Sequence, residues 1–113
     1  MKDPRMIKLA KQIVQYSVKV RKNDRVLIEM IGPERELLKC VIDEVHAAGG
    51  HPYVQLTDRA VLRTLLKTMT REQLEHWAKM DLERMKEMDV YIAIRSGENA
   101  SELSGLPDGQ LAM

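Results

Sequence analysis

Apolar residues recur every three or four positions in some segments of the chain and form short continuous runs in others. Each change from one pattern to the other predicts a new helix or strand. Spacings of three and four predict a first helix, capped by Asp3 and with Pro4 in its first turn. Its apolar face consists of Met6, Leu9, Ala10, Ile13, Ser17 and Val20. A continuous apolar, largely β-branched run then predicts a buried strand at residues 25–31. Pro33 opens a second predicted helix, which ends at Gly49.

The second half of the chain repeats this alternation. A strand is predicted near residues 52–56, followed by a helix over residues 60–69. Thr70 and Gln73 form a capping box that starts a further helix. Its predicted buried face consists of Leu74, Trp77, Ala78, Leu82, Met85 and Met88. A third apolar strand is predicted near residues 90–94.

The order of these elements predicts an α/β fold. We expect a three-layer open sheet of about three parallel strands, with helices on both faces and right-handed crossovers. Residues 1–113 read as a single α/β domain, whose last segment is a loop followed by the first residues of another helix at 107–113. An exposed edge of such a sheet would invite a fourth strand from another chain or from a missing continuation of this one, and we also expect self-association.

Composition excludes several classes of protein. The 113 residues carry 18 Lys and Arg against 17 Asp and Glu, and only 4% are aromatic, which disfavours nucleic-acid binding. A single cysteine forms no intrachain disulfide. The chain shows neither a signal-peptide pattern nor an apolar stretch of membrane-spanning length. These features predict a cytoplasmic protein with no membrane partner.

The histidines and the cysteine are the first candidates for chemistry. His46, His51 and His76 have no second ligand at a recognised metal spacing, so we expect structural or surface roles for them. Cys40 lies beside the apolar stripe of the second helix, with no histidine near it in sequence to take its proton. It is expected to act as a small hydrophobic residue at the edge of the core.

A second candidate is the rim formed by the carboxyl ends of the strands, where open α/β sheets bind ligands. The turn at Gly32 has neither of the glycine-rich phosphate-binding motifs. The candidate cleft loop that follows the third strand contains Arg95, Ser96, Glu98 and Asn99. A solvated loop without function accounts for the same residues, because such loops are polar in any case.

Several segments together resemble one known family. They are residues 9–20, residues 24–28, the stretch 44–52 with its Gly-Gly-His-Pro turn, the strand at 91–94 and residues 99–105. In combination they are similar to the start of the thermophilic metalloaminopeptidases of the aminopeptidase T and aminopeptidase S type. Where that family usually has glycine, this chain has Asn23, which also tolerates positive φ, so the turn should survive.

The resemblance implies an N-terminal α/β domain of a much longer enzyme that removes N-terminal residues from peptides. It also implies two divalent metal ions, such as zinc or cobalt, held by side chains from the later part of that enzyme. No metal ligand and no catalytic residue can be assigned to this chain from the resemblance. We therefore expect the chain to lack metal ligands, to be inactive alone, and to act with the rest of the catalytic chain and as a homo-oligomer.

Two hypotheses remain from the sequence. The first is the N-terminal domain of a metalloaminopeptidase, favoured by a final helix that stops unfinished at Met113. The second is a stand-alone small α/β module for binding or oligomerisation. A reading frame that continued beyond Met113 with clustered Glu, His and Asp would distinguish them.

Overall fold

The computed structural model describes residues 3–97, which form a sheet with helices on both faces. Within these residues the sheet contains three strands, β1 (Arg25–Ile31), β2 (His51–Thr57) and β3 (Val90–Arg95). Their order is β2-β1-β3, and β1 pairs in parallel with both neighbours. The predicted α/β fold with three parallel strands is therefore confirmed.

The central strand β1 divides its side chains between the two faces of the sheet. Val26, Ile28 and Met30 point to the first face, where each is completely buried. Because side chains alternate along a strand, Leu27 and Glu29 point to the second face. The first face is thus apolar, whereas the second has a carboxylate at its centre.

Two helices cover the first face, α1 (Pro4–Gln12) and α2 (Glu36–Ala47). The Asp3 carboxylate accepts the Arg5 amide proton at 2.8 Å, which confirms the predicted cap of α1. The buried residues that these helices and the sheet share form the core: Ala10, Val14, Val26, Ile28, Met30, Leu38, Cys40, Val41, Val45, Ile92 and Ile94. The position expected for Cys40 is confirmed.

The first helix ends earlier than predicted. The α-helical hydrogen bonding stops at Gln12, and residues 13–17 form a wider π-helical turn in which the Val18 amide donates to the Ile13 carbonyl at 3.0 Å. Val20 is therefore not on the helix. It packs against Gly50 instead, at the start of β2, and the chain has to leave the helical path to reach that contact.

The start of α2 also differs from the prediction. Pro33 does not open the helix, which begins at Glu36. The Glu34 amide donates to the Ser96 hydroxyl at 3.0 Å, so this stretch is bound to the loop after β3. The Glu34 carboxylate in turn accepts the Leu37 amide proton at 2.8 Å, and it thereby caps the helix from two residues before its start.

The turn before β1 keeps the conformation expected for it. Asn23 adopts φ +70°, a left-handed value that asparagine tolerates better than most residues. Its amide donates to the Gly49 carbonyl at 2.8 Å and so connects this turn to the end of α2. The prediction that asparagine preserves the turn is confirmed.

Two further helices, α3 (Arg59–Thr68) and α4 (Arg71–Lys86), lie over the second face of the sheet. The Asp58 carboxylate accepts the Val61 amide proton at 3.0 Å and caps α3. The Thr70 hydroxyl accepts the Gln73 amide proton at 3.0 Å, which confirms the cap predicted for α4. Hydrogen-bonded caps therefore fix the first turn of both helices.

The buried face predicted for α4 is wrong. Within residues 3–97, neither α3 nor α4 buries a side chain completely, and Leu74 and Leu82 are exposed. This face of the sheet carries Glu29 and Gln55 beside the buried Leu27 and Ile31, so it is not uniformly apolar. β2 is likewise largely exposed.

Candidate functional site

The carboxyl ends of the three strands meet in a strand-end rim, which we define as Gly32, Asp58 and residues 95–97. The Gly32 amide donates to the Thr57 carbonyl at 3.1 Å, which joins the ends of β1 and β2. The Ser96 amide donates to the Ile31 carbonyl at 2.8 Å, which joins the ends of β1 and β3. The rim is thus closed by main-chain hydrogen bonds.

Ser96 is the most heavily bonded residue of this rim. Its hydroxyl accepts the Glu34 amide proton at 3.0 Å and lies 3.7 Å from the Met30 sulfur. Its carbonyl accepts two hydrogen bonds from the Arg59 guanidinium, at 2.9 and 3.2 Å. Ser96 therefore connects the end of β3 to the segment before α2 and to α3, and its oxygens are engaged within the domain.

Gly32 allows this rim to close. It has φ +112°, and a β-carbon placed on it would overlap the Ser96 carbonyl. Gly97 is similarly close to Pro33, since a β-carbon there would lie 2.5 Å from the proline ring. The backbones of two loops pass each other at a separation that only glycine permits.

The structure places two of the four residues of the candidate cleft loop. Ser96 lies in the strand-end rim, whereas Arg95 is the last residue of β3 and is partly buried. The Arg95 Nε atom is buried and has no hydrogen-bond partner among residues 3–97. Glu98 and Asn99, like the helix start predicted at 107–113, lie outside the described residues.

The second face of the sheet carries a polar cluster that the sequence analysis missed. This sheet-face network consists of Glu29, Gln55, Tyr91, Arg84 and Asp81. Adjacent residues of the three strands supply the first three, since Glu29 lies opposite Gln55 in the register and Tyr91 lies nearby on β3. The Tyr91 hydroxyl donates to one oxygen of Glu29, and the Gln55 amide donates to the other at 3.5 Å.

Helix α4 joins this network through Arg84. The Arg84 guanidinium donates to the Gln55 side-chain carbonyl and also to Asp81, at 3.1 Å. Arg84 therefore attaches α4 to β2 through the network. Its Nε atom is buried without a hydrogen-bond partner in the described part of the chain.

Burial and the neighbouring carboxylate keep the Tyr91 hydroxyl protonated. Removal from water raises the pKa of Tyr91 to about 12, and the hydrogen bond to Glu29 acts in the same direction. Arg95 and Arg84 oppose the rise without cancelling it. The tyrosine hydroxyl is thus protonated at neutral pH and serves as a hydrogen-bond donor to Glu29.

A cavity of about 430 Å³ lies between the second face of the sheet and helices α3 and α4, and Glu29, Gln55 and Asp81 of the sheet-face network line part of it. Most of the lining is apolar: Val61, Leu62, Leu65 and Leu66 of α3, Leu74, Trp77 and Ala78 of α4, Met69 between these helices, and Ile31 and Leu56 of the sheet. Glu29, Gln55, Thr57, Asp58 and Asp81 supply the polar part of the lining. The cavity exists because α3 and α4 do not pack closely against the sheet.

The three histidines lie on different elements and do not converge. His46 is on α2, His51 begins β2 and His76 is on α4, and all three are exposed. Among residues 3–97 no group of three or more His, Cys, Asp or Glu is placed to hold a metal ion. The described residues therefore do not fit a metal centre of the kind that converging ligands create.

Comparison with known proteins identifies the class. The chain belongs to the thermophilic metalloprotease family M29, whose family model matches residues 2–113. The family description implies a metal-dependent protease. The match also accounts for the resemblance found in the sequence, which is confirmed at the level of the family.

A solved structure is similar to this domain. It is wild-type AmpT from Thermus thermophilus, with a TM-score of 0.61 and 21% sequence identity. The match covers 95% of this chain but 28% of that chain, and at this identity it shows the fold alone. No curated protein matches the sequence. In the described residues, no helix is both long and apolar enough to cross a membrane.

Proposed function

We propose that this chain is the N-terminal α/β domain of a metal-dependent aminopeptidase, that it lacks the metal ligands itself, and that it is inactive alone. The match of the M29 family model to residues 2–113 carries this proposal. The lack of converging ligands in residues 3–97 supports the second part, because hydrolysis at a metal centre needs ligands that hold the ion. The metal ions, two divalent ions such as zinc or cobalt, would be bound by the rest of the enzyme.

In the whole enzyme this domain would form one wall of the substrate cleft or a dimer contact. The loop at residues 95–99 is the part that we assign to the cleft side. The peptide substrate would then meet the strand-end rim, at the edge of the sheet where α/β folds bind ligands. The enzyme would act in the cytoplasm.

The first prediction is that the purified chain does not hydrolyse a leucine chromogenic amide, even with zinc, cobalt or manganese added. Metal affinity depends on the geometry of the ligands as well as on their type, and exposed side chains on separate elements do not supply the geometry. The measurement is the rate of chromophore release with each metal, beside a chelated control. We expect the same background rate in all samples.

His46→Ala and His76→Ala serve as matched variants for this assay. They remove exposed imidazoles that could bind a metal ion weakly, and their background rate should equal that of the unchanged chain. A rate that requires metal, co-purifies with the 113-residue species and falls in either variant would refute the proposal of an inactive domain.

The alternative function, a small binding module, is favoured by the cavity above the sheet-face network. Trp77, the chain's only tryptophan, lines that cavity and reports on its occupation. A binding module predicts that a small apolar ligand changes Trp77 fluorescence and that Leu65→Ala weakens this response. If Trp77 emission stays constant with small apolar compounds at millimolar concentration, the alternative fails.

A further inference from the structure

Helices α3 and α4 contribute nothing to the hydrophobic core. We call residues 59–86 the α3–α4 unit, in which Met69 and Thr70 join the two helices. Among residues 3–97, this unit supplies no side chain of the core and none of the partly buried apolar side chains packed against the core. The core is therefore complete without the α3–α4 unit.

The α3–α4 unit also buries little apolar surface of its own. Val61, Leu66 and Leu74 are 66%, 51% and 50% exposed, and the cavity of about 430 Å³ lies between the unit and the sheet. In contrast, four side chains of α2 alone are buried on the first face. Because apolar burial is the main contribution to folding, the unit is attached to the sheet less strongly than α1 and α2.

Polar bonds near both ends attach the α3–α4 unit to the rest of the domain. At its start, the Arg59 guanidinium donates to the Ser96 carbonyl at 2.9 and 3.2 Å. Near its end, the Arg84 guanidinium donates to the side-chain carbonyl of Gln55 on β2. These bonds fix where the unit lies on the sheet, but they bury no apolar surface.

Neither helix of the unit is long enough to persist after it detaches. Helix α3 has 10 residues and α4 has 16, and isolated helices of such lengths are marginally stable in water. Leu65 of α3 and Trp77 of α4 line the same cavity, so each helix loses part of its apolar surroundings when the other leaves. Detachment and loss of helical structure should therefore occur together, in both helices.

We propose that the α3–α4 unit detaches from the sheet and unfolds as a single unit while the first face of the sheet stays folded. In this partly open state, Leu27 and Glu29 on the second face are uncovered. The Ser96 carbonyl loses its two bonds from Arg59, so the change also reaches the strand-end rim. The unit is thus a conformational switch that alters the second face and the rim together.

The test is native-state amide hydrogen exchange at individual residues, repeated at urea concentrations below the unfolding transition. The amides of Leu66 and Trp77 should exchange through one shared opening. Its free energy should be lower, and should depend less on urea, than that of the opening that exposes Ile28 and Val45, because less surface is uncovered.

Val41→Ala distinguishes this opening from unfolding of the whole domain. Val41 is completely buried in the core, which stays folded in the partly open state. The substitution should lower the protection of the Ile28 and Val45 amides at least about tenfold, because it leaves a cavity in that core. The protection of the Leu66 and Trp77 amides should not change, since their opening leaves the core intact.

Arg59→Leu tests whether the two helices open together. It removes both hydrogen bonds to the strand-end rim, and it should lower the protection of Leu66 and Trp77 at least about tenfold. Protection of Ile28 should fall by the same factor, because the bonds are absent from the unfolded chain too. Arg63→Leu is the matched control, since Arg63 is exposed on the same helix, and it should leave all these amides unchanged.

Two results would overturn the proposal. If Val41→Ala lowers the protection of the Leu66 and Trp77 amides as much as that of Ile28, then α3 and α4 open only when the whole domain unfolds. If Arg59→Leu changes Leu66 but not Trp77, the helices open separately. Neither result bears on the proposed lack of hydrolytic activity.

Discussion

Replacing Gly32 by alanine is expected to reduce the free energy of unfolding by about 3 kcal/mol or more. The new methyl group would overlap the Ser96 carbonyl, and φ +112° is strained for any residue with a β-carbon. Neither backbone can move freely, because the Ser96 amide is bonded to Ile31 and the Gly32 amide to Thr57. The measurement is urea denaturation followed by circular dichroism.

Gly49→Ala is the control for this substitution. Gly49 also has a positive φ, +87°, but its added methyl would lie 3.2 to 3.4 Å from Lys22, which can shift. We expect a loss of about 1–2 kcal/mol there, from backbone strain alone. Equal losses in the two variants would show that the contact between the Gly32 and Ser96 loops does not contribute to stability.

Ile28→Ala should destabilise the fold by about 3 kcal/mol, since it leaves a cavity in the middle of the core. Ile28 is completely buried at the centre of β1, between Val54 and Ile92 in the register. The side chains around it come from both helices of the first face, so the site cannot collapse around the missing atoms without moving α1 or α2. The urea midpoint should fall while the denaturant dependence stays the same.

Val54→Ala is the matched control for Ile28→Ala. Val54 is on the same face and on the adjacent strand, yet it is 43% exposed, and in dilute solution its loss should be less than about 1 kcal/mol. A large effect at Val54 in a monomeric sample would contradict the burial described for this edge.

The strands were predictable because each is a short apolar run between helical patterns. β1 has the predicted bounds, and β2 and β3 extend the predicted ranges by one residue at one end or both. Their parallel arrangement followed from the helix between each pair. The strand order, β2-β1-β3, did not follow from local pattern, because it depends on where the second crossover lies.

The wrong predictions for α4 and for the end of the first helix depend on what each segment packs against. The sequence of the segment itself does not show that partner. The apolar stripe of α4 indicates which side of the helix avoids water, but not whether an apolar surface lies opposite. Here Leu74, Trp77 and Ala78 of the stripe line a cavity whose sheet side includes Glu29 and Gln55 beside Ile31. The early end of the first helix has a similar cause, since Val20 packs against Gly50, a residue distant in sequence.

The sheet-face network had a weak signal in the sequence. Glu29 and Gln55 each interrupt an otherwise apolar run, and Tyr91 is the one residue of its strand that ends in a hydroxyl. Only the register brings the three together on one face. The strand-end rim was predictable as a location, but the hydrogen bonds that engage Ser96 were not.

The two hydrogen bonds that Glu29 accepts from Gln55 and Tyr91 close loops of different length. This difference bears on the order in which the strands are expected to pair. Gln55 is 26 positions from Glu29, whereas Tyr91 is 62 positions away. The longer closure has an entropy cost greater by about 0.8 kcal/mol, and α3 and α4, the helices between Gln55 and Tyr91, recover little of it because they bury no side chain completely. We therefore expect the β1-α2-β2 unit to form more readily than the pairing of β1 with β3.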